Sequence, residues 1–89
     1  VAERNVMIVN QLGLHARAAA KFVDLASRYR ANIEIVRGGD CVDGKSILGL
    51  LTLAAPRGTQ LTLLANGPDA GEALEALAQL VGGRFGEER

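Results

Sequence analysis

Tryptophan is absent from the 89 residues, tyrosine and cysteine occur once each and phenylalanine twice, and each scarcity excludes something. With Phe22, Phe85 and Tyr29 as its aromatics, the chain offers no stacking platform for bases, and its core must be built from Leu, Val, Ile and Ala. Cys41 alone cannot close an internal disulfide. Cys41 and one histidine leave too few nitrogen and sulfur ligands for an ordinary structural zinc site, so neither a metal nor a cofactor is expected. The start offers only the apolar stretch Met7–Val9, too short for a signal-peptide core, and no window reaches the length of a membrane span. A reducing, cytoplasmic location without a membrane partner is the resulting expectation. Charge of one sign is also lacking, because ten Lys or Arg balance ten Asp or Glu. That balance gives no field to draw nucleic acid or anionic lipid, and confines electrostatics to local patches such as the basic segment 16–30.

Apolar residues make up 48% of the chain, enough for one small core. Residues 6–9 form a short apolar run that predicts a first strand. From Ala16 the period lengthens. Ala19, Phe22, Val23, Ala26 and Tyr29 share one face and Arg17, Lys21, Asp24 and Arg28 the other, which predicts an amphipathic helix. Ile33 to Ile35, a glycine turn at Gly38-Gly39 and Cys41-Val42 predict a hairpin. Ser46 is the natural N-cap of a short helix over Ile47 to Leu53, stopped by Pro56 and Gly58. Residues 60–65 alternate as a fourth strand. Asp69 and Glu72 have capping-box spacing ahead of a last helix with Ala70, Ala73, Leu74, Leu77 and Val81 on one stripe, ended by Gly82-Gly83. The tail Glu87-Glu88-Arg89 is expected to fray. The order β-α-β-β-α-β-α predicts an α+β fold, a four-stranded antiparallel sheet with three helices on one face, in a single domain over 1–89.

The single histidine, His15, lies in Gly13-Leu14-His15-Ala16-Arg17, where the first strand gives way to the basic helix. First-turn amides of a helix lack partners and carry the positive end of its dipole, which prepares an anion site. An unprotonated imidazole nitrogen there can attack phosphorus while the amides of Ala16, Arg17 and Ala18 hold the phosphoryl oxygens. The positive helix end disfavours the imidazolium. Arg17 can fold its guanidinium back to the phosphate. On the residues alone, an ordinary loop histidine remains an equal alternative.

Gly13 to Arg17, with Asp43-Gly44-Lys45-Ser46-Ile47-Leu48, Pro56-Arg57-Gly58-Thr59 and the closing helix, resemble the HPr family of histidine phosphocarriers of the phosphoenolpyruvate-dependent phosphotransferase system. The likeness spans essentially the whole chain and implies an open-faced β-sandwich. It implies a non-enzymatic relay in which Enzyme I passes a phosphoryl group to Nδ1 of His15, and His15 hands it to a IIA-type protein. Ala18 stands where the family usually has proline, and Leu12 where members of the sugar branch often have a polar residue. Leu12 and the closing Gly83 to Glu87 look more like nitrogen-branch or regulatory carriers.

In the short helix, Leu50 and Leu53 point to a different arc from Ile47, Leu48 and Leu51, so the first pair is expected in the core and the other three on the surface. Ile47, Leu48 and Leu51, with Ala20 and Lys21 of the first helix, are the expected docking residues, flanked by the positive stripe Arg17, Lys21 and Arg28 and assisted by Lys45. Ser46 resembles the serine that a dedicated HPr serine kinase/phosphorylase modifies in some bacteria. A dianion there would sit well at a helix start yet repel acidic partners. A monomer is expected. The competing class is a regulatory module that binds partners according to its phosphorylation state without onward transfer. A small-ligand domain and a hydrolase have less support, since neither a marked pocket nor paired catalytic groups stand out.

Overall fold

In the computed structural model, which describes residues 1–88, the strands form where apolar side chains alternate. β1 spans Ala2–Met7, β2 Asn32–Arg37, β3 Asp40–Asp43 and β4 Gln60–Asn66. Ile33 and Ile35 of β2 and Leu61, Leu63 and Ala65 of β4 are buried on one face, while Glu34, Thr62 and Leu64 lie on the other. All pairings are antiparallel, in the order β1-β4-β2-β3.

That order decides where the helices go. α1 (Ala16–Ala26) joins β1 to β2 and α2 (Ile47–Leu53) joins β3 to β4, each connection skipping one strand between two parallel ones. The two units are related by a half-turn about the sheet normal, so the right-handed crossover rule places both helices on the same face. α3 (Ala70–Gly82) packs on β1 and β4 on that face as well. Phe22, Leu50, Leu53, Leu74, Leu77 and Val81 meet the strand residues in one buried cluster. The expected architecture and element order are thus observed. Among the described residues no helix is long and apolar enough to cross a membrane.

Several local expectations are corrected. β1 begins at Ala2, ahead of the expected run at 6–9, because Arg4 occupies an inward position opposite Leu63 and breaks the apolar alternation. As an edge residue it reaches across to Glu75 of α3, at 2.6 Å. α1 stops at Ala26, and Tyr29 belongs to a tightened turn in which Arg28 and Tyr29 donate to Leu25 and Ala26. α2 ends ahead of Pro56, with Ala54 left-handed at φ 48° and the Arg37 guanidinium on the Leu53 carbonyl. Its N-terminus is as expected, with Ser46 Oγ accepting from Gly49 N at 3.1 Å.

The capping box at α3 does not form, since Asp69 makes no side-chain cap bond. Its carboxylate instead accepts from the amides of Arg30 and Ala31, both at 2.8 Å, and ties the turn after α1 to the start of α3. The hydrogen bond from the Arg30 amide, above all, holds the Asp69 carboxyl below its ordinary value of 3.8, helped by the Ala31 amide and by the positive charge of Lys45. A depressed folded value means that the contact stabilises fully above the unfolded value and is lost as pH falls through the folded one. Asp69→Asn is therefore expected to lower Tm at neutral pH and to shrink the fall in Tm between neutral and strongly acid solution. Equal acid-induced falls for both proteins in thermal melts would contradict this role.

Candidate functional site

The chain reversal between β1 and α1 builds the site. Gly13 donates to Asn10 O at 3.2 Å, and Leu14 donates to Ala55 O at 2.8 Å just after α2. Gly13 has φ 71°, and a Cβ on it would lie 2.6 Å from Ala55 O and 3.0 Å from Pro56 Cα, so the turn excludes a side chain both by dihedral and by space. Asn10, fully buried, donates from Nδ2 to Gly13 O at 2.8 Å, while its Oδ1 has no partner among the described residues. Leu14 inserts into the core and His15 emerges as the N-cap of α1 with extended backbone, its carbonyl accepting the first helical bond from Ala19 at 2.8 Å.

The imidazole is held at both nitrogens. Nδ1 accepts from the Arg17 amide at 3.2 Å, and Nε2 lies 2.5 Å from Glu87 Oε2. A carboxylate only accepts, so this geometry assigns the proton to Nε2 and the lone pair to Nδ1. The amides of Ala16 and Ala18 precede the first helical bond and have no partner within α1. The ring is 27% exposed and so remains reachable. Arg17 is exposed, and its guanidinium makes no hydrogen bond or ion pair among the described residues.

Glu87 and Asn10 are site residues that the sequence reading missed. The expected frayed tail is corrected at Glu87, which is folded onto the site, while Arg89 lies outside the described residues. Arg84, Phe85 and Gly86 form a short 3₁₀ turn, all three with positive φ (61°, 55° and 79°), which redirects the chain back across α1. Left-handed backbone costs a non-glycine residue about 1–2 kcal/mol. Burial of Phe85, 1% exposed, contributes about 3 kcal/mol and offsets most of that. The remainder is met by ties to the loop and α1: Lys21 Nζ donates to Phe85 O at 2.7 Å and Asn10 Nδ2 to Glu87 Oε1 at 3.1 Å. The hydrogen bond from His15 is the main cause holding the Glu87 carboxyl below its ordinary value, against some desolvation, with help from Asn10 and the positive charge of Lys21. The field at the ring therefore has two opposed parts, the α1 dipole and this carboxylate.

The other expected residues divide. Ile47 and Leu48 are exposed, at 42% and 76%, on α2 beside α1, and Ala20 is exposed on α1. Leu51 is half-buried against the core instead of fully on the surface, while Leu50 and Leu53 are buried as expected. Leu12, 72% exposed, adds a further apolar side chain in the loop before His15. The positive stripe is partly consumed. Lys21 holds the Phe85 carbonyl, Arg28 pairs with Asp24 at 3.1 Å, and Lys45 is bound to Tyr29 O at 2.8 Å.

A partly exposed histidine capping the first helix of a one-sided, helix-covered antiparallel sheet defines a class, and comparison with known proteins gives the family. Residues 2–82 match the family described as PTS HPr component phosphorylation site. The chain is 47% identical over 85 residues to the phosphocarrier protein HPr of Cupriavidus necator, covering 96% of each. It is 49% identical to the phosphocarrier protein NPr of Shewanella violacea, covering 96% of this chain and 93% of that one. The crystal structure of HPr from Thermoanaerobacter tengcongensis superposes with a TM-score of 0.96 at 39% identity over the whole of both chains. The chain belongs to the HPr family of the phosphotransferase system.

Gly13→Ala is expected to destabilise the protein by about 2 kcal/mol, a Tm drop on the order of 10 °C. Urea unfolding checks this, and a change within a few tenths of a kcal/mol would mean that the loop does not depend on the close approach to Ala55.

Proposed function

We propose that the protein is a phosphoryl carrier that receives the group from phosphorylated Enzyme I on Nδ1 of His15 and passes it to a IIA-type protein. The observation that carries this reading is the ring's seating, with the Nδ1 lone pair turned to the first-turn amides of α1 and the proton on Nε2. In the transfer, the Nδ1 lone pair attacks phosphorus, the donor's bond to phosphorus breaks and its electron pair returns to the donor atom. The Ala16 and Ala18 amides hold two phosphoryl oxygens, the Arg17 amide exchanges its weak bond to Nδ1 for a third, and the Arg17 guanidinium reaches the phosphoryl group from solvent. Ala18, buried as a side chain, supplies an amide donor that a proline could not. Ile47, Leu48 and the edge of Leu51, with Ala20 and Lys21, form the surface for both partners. The protein turns over with its partners in a relay and is not itself an enzyme. It acts as a single copy in the cytoplasm.

Incubation with phosphoenolpyruvate and Enzyme I is expected to add one acid-labile phosphoryl group per chain. His15→Ala should add none, and Arg17→Ala should slow labelling about 10²-fold. Equal labelling of the His15→Ala protein would remove the reading.

The exposure of Leu12 beside the histidine favours a second reading within the same chemistry, service in the nitrogen or regulatory branch instead of sugar uptake. The rates of transfer to IIA proteins of the two branches, measured side by side, separate them. For Ser46 we propose regulation by a serine kinase/phosphorylase. Its hydroxyl caps α2 immediately before Ile47 and Leu48, so a dianion there would sit beside the docking surface.

A further inference from the structure

We propose that Glu87 is a positioning residue that keeps the proton on Nε2 of His15 through both halves of phosphoryl transfer. The proposal rests on the carrier reading above and deepens it, starting from the Glu87 contacts that fix the ring's tautomer. Glu87 Oε2 lies 2.5 Å from Nε2, its Oε1 accepts from Asn10 Nδ2 at 3.1 Å, and its side chain is only 18% exposed. Neighbouring charges cannot substitute for it. Arg17 and Lys21 of α1 carry only donors, and Lys21 is occupied by the Phe85 carbonyl. Glu88 is exposed, and its carbonyl accepts from Arg84 at 3.2 Å.

The effort spent on placing this one carboxylate points the same way. Two consecutive non-glycine residues, Arg84 and Phe85, are held left-handed so that the chain leaves α3 and returns over α1 to His15. Strain of that kind persists only where surrounding contacts over-determine it, and it gathers at functional sites. Phe85 and Asn10 supply those contacts, and Asn10 links the returning segment to the same Gly13 turn that seats the ring.

The chemistry explains why the proton must stay. A neutral imidazole with its proton on Nε2 has the lone pair on Nδ1, the nitrogen beside the amides. When Nδ1 bonds to phosphorus, the ring becomes a phosphoimidazolium cation and no proton needs to leave. In the onward step the acceptor attacks phosphorus, the bond from phosphorus to Nδ1 breaks, and the electron pair returns to Nδ1. If Nε2 still carries its proton, the leaving group is neutral imidazole. If Nε2 has lost it, the leaving group is imidazolate, a far poorer one. A carboxylate on Nε2–H thus selects the attacking nitrogen and stabilises the cation that is able to give the group up.

The test uses ¹⁵N-labelled full chain, wild type beside Glu87→Ala, Glu87→Gln and Glu87→Asp, with Tm recorded for each to show that it is folded. In the unphosphorylated protein, ring ¹⁵N shifts are expected to show protonated Nε2 and unprotonated Nδ1 for wild type, and a mixture of both tautomers for Glu87→Ala. Glu87→Gln keeps an acceptor but no charge. It is expected to retain the wild-type tautomer, yet to lose the Nε2 proton more readily once phosphorylated and to pass the group to a IIA protein about tenfold more slowly. Glu87→Asp should restore part of that rate. Unchanged ring shifts in folded Glu87→Ala, or wild-type onward rates in Glu87→Gln, would overturn the proposal. Failure of the wild type to accept any phosphoryl group would instead remove the carrier reading, and the tautomer measurement on the unphosphorylated ring would still decide whether Glu87 places the proton.

Discussion

The seating of one imidazole depends on a backbone reversal that admits no side chain. Residues 10–15 must leave the last pairing of the first strand, where Ile8 exchanges hydrogen bonds with Thr59 and Gly58, and enter α1 at an angle that leaves the ring across its first turn. Gly13 makes the reversal possible by lying against the Ala55 carbonyl, and the Leu14 amide fixes it by donating to that same carbonyl. The end of α2 is therefore part of the histidine's support, and the arrangement that brings Ile47 and Leu48 beside α1 is coupled to the one that aims Nδ1. The buried Oδ1 of Asn10 has no partner among the described residues, which costs about 1–3 kcal/mol. Its amide nitrogen offsets this by joining the reversal to Glu87.

What was legible in the sequence is what local periodicity or a single cap encodes. The α1 stripe, the Gly38-Gly39 hairpin, the Ser46 cap, the split between Leu50 or Leu53 and Ile47 or Leu48, and the location of His15 at a strand-to-helix junction all follow from spacing. What was not legible depends on partners distant in the chain. Arg4 reads as a break in the first strand until Glu75, on a helix packed over the sheet edge, is seen to receive it. Asp69 reads as a helix cap because Glu72 has the right spacing, but two amides at residues 30 and 31 compete for the same oxygens and win. Glu87 reads as a charged tail because nothing nearby in sequence calls for left-handed Arg84 and Phe85. The burial of the Phe85 ring and the bonds of Glu87 to His15 and Asn10, all made with residues distant in the chain, are what hold them there.

The same distant contacts change the expected electrostatics of the docking face. Reading α1 as a helical wheel gives three cations, Arg17, Lys21 and Arg28, free to meet an acidic rim. In the folded chain Arg28 is paired with Asp24 and Lys21 is bound to the Phe85 carbonyl, with the Glu87 carboxylate in its field. Lys45 is likewise drawn to Tyr29. Among the described residues, the cation beside the histidine whose guanidinium has no partner is Arg17, the one proposed to meet the phosphoryl group. Neutralised or shielded surface charge steers weakly beyond about 8–10 Å in physiological salt. If this face is the docking surface proposed above, recognition falls mainly to the exposed Ile47, Leu48 and Leu12, which act at contact distance and are indifferent to whether the phosphoryl group is arriving or leaving. A surface of that kind suits a carrier that must release each partner after a single transfer, because apolar contacts hold donor and acceptor alike and leave the direction of transfer to the relative phosphoryl-transfer potentials of the two partners.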